Sequence, residues 1–111
     1  NPNQLDEVND ALDWALALDA PSVIITRYPC ALKKFSKEDK SEFECLFTEK
    51  YTVDETKCIG CKICLKSGCP AISFHEDTKK SHIDKNACVG CGVCSQVCPK
   101  QAILNIKEVQ A

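Results

Sequence analysis

The sequence of 111 residues has room for one small domain and an appendage, but not for two full hydrophobic cores. Its 14 basic and 16 acidic residues give a formal net charge of -2, and this balance gives no support for nucleic-acid binding. The longest apolar runs, ALALDA and SVIIT, are far too short to span a membrane.

The N-terminal sequence NPNQLDEVND is polar and acidic, and it lacks the basic and then apolar segments of a secretory signal peptide. We therefore expect a reducing, cytoplasmic compartment, where clustered cysteines are more often metal ligands than disulfides. The sequence contains no methionine, so no initiator is present. We expect the chain to be a piece of a longer protein.

The first part of the chain predicts a helix followed by a strand. Apolar residues from Leu5 to Leu16 recur at helical spacing, which predicts a helix over residues 3–19. After a proline, the β-branched run SVIIT at 22–26 predicts a short buried strand. Because one helix and one strand cannot enclose a core, we interpret residues 1–30 as the edge of an α/β layer.

Residues 31–50 are predicted to be a linker, because the stretch KKFSKEDKSEFE is rich in charge and has few apolar anchors. Two of the chain's ten cysteines, Cys30 and Cys45, lie in or beside this segment. Isolated cysteines are most often ordinary thiols, so we assign no ligand role to either one.

From residue 51 the chain repeats itself. A shift of thirty residues aligns Asp54 with Asp84 and the first three cysteines of CIGCKICLKSGCP with those of CVGCGVCSQVCP. The fourth cysteines, each followed by proline, align at a shift of twenty-nine. Each copy is predicted to run strand, cysteine loop, short helix, strand. We therefore expect residues 51–111 to form an α+β domain of order βαββαβ with pseudo-twofold symmetry.

Each cysteine run has the spacing of ligands to an iron–sulfur cluster. Three cysteines at i, i+3 and i+6 on a tight loop direct three sulfurs into one concavity and leave the fourth corner of a cubane-type cluster open. In two-cluster runs of this kind, the fourth cysteine ligates the other cluster. The predicted ligands of the first 4Fe–4S cluster are Cys58, Cys61, Cys64 and Cys98. Those of the second are Cys88, Cys91, Cys94 and Cys69.

Two other interpretations of the cysteines are weaker. A zinc ribbon uses two pairs of cysteines rather than two triplets. A disulfide framework would cross-link residues three apart, which disulfide geometry disfavours, and would need an oxidising compartment.

One departure separates the two runs. The first has four residues, LKSG, between its third and fourth cysteines, where the second has three. We expect the extra residue to lengthen or bulge the first helix and Gly68 to absorb it.

With these runs, residues 51–111 resemble bacterial-type two-cluster 4Fe–4S ferredoxin domains. The stretch ALDWALALDAPSVIITRYPC, followed by a linker into YTVDETKCIGCKICLKSGCPAISF, resembles the C-terminal end of the α subunits of indolepyruvate ferredoxin oxidoreductases. These are thiamine-diphosphate-dependent 2-oxoacid oxidoreductases. The resemblance implies that residues 1–30 are the last helix and strand of a thiamine-diphosphate-type domain, joined by a linker to the ferredoxin-type domain.

The resemblance also implies a parent enzyme that oxidatively decarboxylates arylpyruvates such as indolepyruvate with coenzyme A. Electrons would pass through the two clusters to an external ferredoxin, and a second, β subunit would complete the enzyme. Thiamine diphosphate and magnesium would belong to the parent, because none of the four glycines of this chain lies in a GDG motif. We therefore expect no catalytic residue in this chain. The alternative is a free-standing ferredoxin-like electron carrier.

Overall fold

The computed structural model describes residues 1–30, 33, 34, 36–42 and 49–107. Its elements, in chain order, are α1 (Leu5–Ala17), α2 (Lys37–Glu42), β1 (Tyr51–Val53), a 3-10 helix (Cys64–Ser67), β2 (Ile72–His75), β3 (Lys80–Ile83), α3 (Val93–Val97) and β4 (Ile103–Asn105). They fall into two compact units, Asn1–Cys45 and Leu46–Ala111. Within the described ranges, no helix has the length and apolar character needed to cross a membrane.

The first unit contains α1, which lies within the helix predicted for residues 3–19. Asp6 and Glu7 occupy its first turn, where the helix dipole favours negative charge. No residue of α1 is buried; Leu5, Val8, Ala11 and Ala15 are half-buried, whereas Trp14 is 58% and Leu16 82% exposed. The helix therefore forms by local hydrogen bonding and contributes no side chain to a core.

The strand predicted at 22–26 is wrong for this chain. Residues 21–30 form neither helix nor strand, and Val23 and Ile25 are 80% and 86% exposed. A strand needs a neighbouring strand to satisfy its backbone N–H and C=O groups. All four strands of the described residues belong to the second unit, where they pair with one another. The β-branched run has strand propensity but no strand beside it.

The charged stretch predicted to be a linker contains α2. Its N-terminus is a reciprocal capping box: Asp39 N donates to Ser36 Oγ at 3.1 Å, and Ser36 N donates to Asp39 Oδ2 at 2.9 Å. Lys33 Nζ donates to the same carboxylate at 2.7 Å. The SKED spacing predicts this cap, and a judgement based on charge alone overlooks it. Cys45 lies outside the described residues.

The second unit has the βαββαβ order that the repeat predicts, so the α+β fold class is confirmed. β1 pairs antiparallel with β4, with Val53 opposite Ile103. β2 pairs antiparallel with β3, with Ile72 opposite Ile83. Each two-stranded sheet thus joins one strand of the first copy to one strand of the second, which makes the two copies interdependent.

Equivalent hydrogen bonds mark the pseudo-twofold relation of the copies. Asp54 N donates to Ala102 O at 2.6 Å, and Asp84 N donates to Ala71 O at 2.8 Å. Between the copies lies a small core in which two of the seven apolar members are cysteines. Its members are Cys64, Ala71, Ile72, Ile83, Cys94, Ala102 and Ile103.

The two cysteine runs differ in their helices. The first run forms a 3-10 helix and the second the α-helix α3. The 3-10 helix ends at Gly68, which has φ +73° and donates its N–H to Leu65 O at 3.1 Å. A left-handed glycine is a common helix terminator. Gly68 lies where the extra residue of the first run has to be absorbed.

Candidate metal centres

An aspartate turn leads into each cysteine triplet. Thr56 N donates to Asp54 Oδ1 at 3.0 Å, and Asn86 N donates to Asp84 Oδ1 at 2.8 Å. The first cysteine of each triplet then donates its N–H to the aspartate carbonyl, at 3.0 Å in the first copy and 2.9 Å in the second. Side-chain and backbone hydrogen bonds from Thr56 lower the pKa of Asp54. Both loops therefore start from the same anchored geometry.

A glycine two residues after the first cysteine lets each loop pack against the other copy. Gly60 has φ +71° and Gly90 has φ +83°. A Cβ on Gly60 would overlap the carbonyl oxygen of Lys79, and a Cβ on Gly90 that of Glu49. Those two carbonyls lie thirty residues apart, just before β3 and β1. Each loop is thus closed by backbone entering a strand of the opposite copy.

The eight predicted ligands line two separate cavities. The first is lined by Cys58, Cys61, Cys64 and Cys98. The second is lined by Cys69, Cys88, Cys91 and Cys94. Each cavity therefore combines three cysteines of one loop with the fourth cysteine of the other run. The role of these side chains as cluster ligands stays a prediction, which the grouping supports.

The donor set in each cavity suits a group of positively charged iron atoms. In the second cavity, burial, and then the neighbouring sulfurs of Cys91 and Cys88, raise the pKa of Cys94 to about 12. Four thiolates cannot share such a space unless cations neutralise them, because like charges disfavour one another's ionised form. Soft thiolate sulfurs are the usual ligands of iron–sulfur clusters. The residues present therefore fit two 4Fe–4S clusters.

Two hydrogen bonds reach sulfurs of the first cavity. The Cys64 thiol donates to Ser81 Oγ at 3.3 Å, and both side chains are buried. Ala102 N donates to Cys98 Sγ at 3.3 Å. Sequence reasoning missed both partners. No pattern in the sequence marks Ser81, because the residue at the corresponding position of the first copy is Tyr51.

Other candidate ligands are not among the residues that line these cavities. Cys30 is exposed. It is a free thiol, and the eight cysteines that line the cavities are free thiols as well. Ring centroids of His75 and His82 lie 5.0 Å apart on the exposed face of the β2–β3 hairpin. Among the residues that the structure describes, no three histidine, cysteine or acidic side chains converge closely enough to hold a single metal ion.

Comparison with known proteins gives a family match and several relatives. Residues 50–105 match the family described as "4Fe-4S dicluster domain". The chain is 38% identical over 109 residues to "Indolepyruvate oxidoreductase subunit IorA" of Thermococcus kodakarensis. The proteins of the same name from Pyrococcus horikoshii and Pyrococcus abyssi are each 36% identical over 109 residues. Each alignment covers 97% of this chain but 16% of the relative, and the matching region is the relative's C-terminal part.

Among solved structures, ferredoxin I from Desulfovibrio africanus matches with a TM-score of 0.47 and 22% sequence identity. The match covers 53% of this chain and 97% of that ferredoxin.

Proposed function

The chain belongs to the 4Fe-4S dicluster domain family, and we propose that it transfers electrons through two 4Fe–4S clusters as the iron–sulfur segment of a larger 2-oxoacid oxidoreductase. The observation that carries this proposal is the sorting of eight cysteines into two cavities, four to each. Three sulfurs from one loop and one from the other run are the donors that a cubane-type cluster needs.

In this proposal Cys58, Cys61, Cys64 and Cys98 hold the first cluster. Cys88, Cys91, Cys94 and Cys69 hold the second. A bound 4Fe–4S cluster supplies a centre that takes up and releases one electron at a time. The chain's own part is to fix the sulfurs, donate hydrogen bonds to them and limit the access of water. No described residue in the second unit is required as an acid, base or nucleophile.

Electron exchange with a partner needs one edge of a cavity near the surface. Ile59 lines the first cavity and is 60% exposed, and its neighbour Cys61 is also exposed. Val89 lines the second cavity and is 38% exposed. These solvent-facing edges are where we expect an electron donor and an acceptor to approach.

The first unit supports assignment of the chain to a larger enzyme. The chain spans 16% of the length of the relatives it matches, and α1 leaves Trp14 and Leu16 exposed. A free-standing carrier has no use for a helix that leaves these apolar side chains exposed. We propose that residues 1–30 end a thiamine-diphosphate-type domain, that residues 31–50 connect it, and that residues 51–111 form the ferredoxin-type domain.

The reaction proposed for the parent enzyme is the oxidative decarboxylation of arylpyruvates such as indolepyruvate, with coenzyme A, in the cytoplasm. Thiamine diphosphate and magnesium would bind to other parts of that enzyme, with a β subunit and an external ferredoxin as partners. The support is the identity of 38% to an indolepyruvate oxidoreductase subunit over 97% of this chain.

A cysteine exchange tests cluster binding directly. Anaerobically reconstituted protein should contain eight iron and eight sulfide per chain, because a family member of this type holds two four-iron clusters. Cys98→Ser should lose the first cluster and about half of the iron. The matched control, Cys30→Ser, alters an exposed thiol outside both cavities and should keep all of it. Preparations that retain only zinc, or a Cys98→Ser variant with full iron content, would contradict the proposal.

The enzyme role is tested in the complete parent protein with its second subunit. Cys98→Ser should abolish ferredoxin reduction driven by indolepyruvate while leaving substrate binding in place, because the substitution touches only the electron path. A wild-type parent that fails to reduce ferredoxin with every 2-oxoacid tested would contradict the proposed enzyme role.

A further inference from the structure

The two cavities are equivalent by repeat, but the side chains that reach them from the opposite copy differ. β3 supplies Ser81 to the first cavity, and β1 supplies Tyr51 to the second. These positions lie thirty residues apart and correspond in the repeat. One cavity therefore receives a small buried hydroxyl where the other receives a phenol ring.

The Ser81 hydroxyl is directed at a predicted ligand. Its Oγ lies 3.3 Å from Cys64 Sγ, and the residue is 4% exposed, so water does not compete for it. In the free thiol, Cys64 is the donor. A metal-bound thiolate carries no proton, so the hydroxyl then has to donate to the sulfur. Hydrogen bonds to a charged partner are stronger than neutral ones.

Other groups add to the difference in the same direction. Ala102 N donates to Cys98 Sγ in the first cavity. Both of these hydrogen bonds involve predicted ligands of the first set and a partner outside that cysteine's own turn, whereas in the second set the backbone N–H of the adjacent Ser95 bonds to Cys94. Lys62 and Lys100 also line the first cavity, whereas the residues lining the second carry no charged side chain.

The two cysteine loops also differ at residue 62, and this difference is related to the presence of Ser81 in one cavity and Tyr51 in the other. Lys62 corresponds to Gly92 in the repeat, and both have positive φ, +61° and +74°. A Cβ on Gly92 would lie 2.9 Å from Tyr51 Oη, so a side chain there would require the phenol to shift. Ser81 is smaller, and the first loop carries a lysine, whose ammonium pairs with Glu76 at 3.7 Å.

We infer that the two sites are unequal in reduction potential, and that Ser81 is a positioning residue whose hydroxyl makes the first site the easier one to reduce. Reduction by one electron adds negative charge to the sulfurs, and donors or cations nearby stabilise that charge more than they stabilise the oxidised state. An electron shared between the sites then resides mainly on the first. This inference rests on the proposed function, since it requires both clusters to bind.

The experiment is a potentiometric titration of the reconstituted, full 111-residue chain with dithionite, followed by electron paramagnetic resonance. Ser81→Ala should lower the reduction constant of one cluster about tenfold, which is about 59 mV for a one-electron couple. Ser73→Ala is the matched control, because Ser73 is exposed on the neighbouring strand of the same hairpin and should leave both potentials unchanged.

A second pair of variants covers the case in which Ser81→Ala fails to retain its clusters. Ser81→Thr keeps the hydroxyl and should preserve the separation of the two potentials, whereas Ser81→Val has the same shape without the donor and should reduce the separation. Equal potentials in the wild type, equal shifts of both clusters, or identical Thr and Val variants would overturn the inference. A wild-type chain without iron and sulfide would instead show that the proposed function itself is wrong.

Discussion

At the scale of single residues, Gly90 gives the sharpest test of how the loops are closed. Its φ of +83° costs a residue with a side chain about 1–2 kcal/mol, and a Cβ would also overlap the Glu49 carbonyl. Gly68 has a similar φ of +73°, but a Cβ there meets nothing within 4 Å. We predict that Gly90→Ala lowers the thermal midpoint of the loaded protein clearly more than Gly68→Ala does, when both are scanned anaerobically at one rate.

The comparison isolates contact from backbone strain, because both variants place alanine in the left-handed region. Equal losses in the two variants would mean that strain alone decides the outcome and that the Glu49 carbonyl yields easily. A greater loss for Gly68→Ala would contradict the packing of the second loop described above.

Spacing predicts the residues that chemistry fixes most tightly, and little beyond them. The cysteines are recognisable because a cluster fixes the distances between them, and Gly60 is recognisable because a tight loop needs positive φ. The positive φ of Lys62, +61°, was not predictable in this way, because residues with a side chain rarely adopt that region. Ser81 was missed because its contact with Cys64 joins residues seventeen apart, which no local pattern reports.

At the scale of elements, α2 shows how much a short helix depends on its cap. Six residues are too few for a helix to be stable by propensity alone, so the Ser36–Asp39 capping box has to fix its first turn. We predict that Ser36→Ala destabilises the helix by about 1 kcal/mol and lowers its population, as read from Cα chemical shifts of residues 37–42.

Ser41→Ala is the control within the same helix. Its Oγ donates to Glu38 O at 2.8 Å inside the helix and caps nothing, so its removal should leave the chemical shifts close to those of the wild type. If both variants lose helix equally, the capping box is not what holds α2.

The same cap predicts a dependence on pH. The hydrogen bond from Lys33, and then that from Ser36 N, lower the pKa of Asp39 below its usual value of 3.8. A lowered folded pKa means that the carboxylate's contribution is fully present above the unfolded value and is lost as pH falls through the lower, folded one. The shifts of residues 37–42 should therefore stay constant above about pH 5 and move toward coil values well below pH 4. Hydrogen bonds from its own backbone N–H, and then from Ser36, also lower the pKa of Glu38 in the same turn. Asp39→Asn should therefore reduce this transition, and an unchanged titration in that variant would contradict the assignment.

Elements were predictable where local sequence and tertiary context agree. The repeat predicts the order βαββαβ because both copies build the same core. The run SVIIT was misassigned because strand formation depends on a partner strand that the described first unit does not supply. The first cysteine run was expected to form a longer or bulged helix. It forms a 3-10 helix, because the chain reaches the left-handed Gly68 after four helical residues.

At the scale of the whole molecule, the second unit lacks the apolar core that would hold it together by itself. Of the seven buried apolar residues in its described part, two are cysteines of the cavities and two are alanines, Ala71 and Ala102. Domains of this size with so little buried area need a metal or another cross-link for stability. Ligation by sulfurs from both copies would supply that cross-link, since each cavity draws on both runs.

Removal of iron should therefore unfold the second unit and leave the first unit unchanged. We predict that an anaerobic chelator at neutral pH abolishes amide protection in residues 51–107, because the apo form loses the cross-link between its two copies. Residues 5–17 should exchange quickly both before and after the treatment, since α1 buries no side chain and a helix of 13 residues is marginal alone. Hydrogen exchange read by mass spectrometry separates the two segments in one experiment.

Protection that persists across β1 to β4 after iron is removed would show that the small core suffices. Slow exchange in α1 of a monomeric, loaded sample would show that the helix has a packing partner after all.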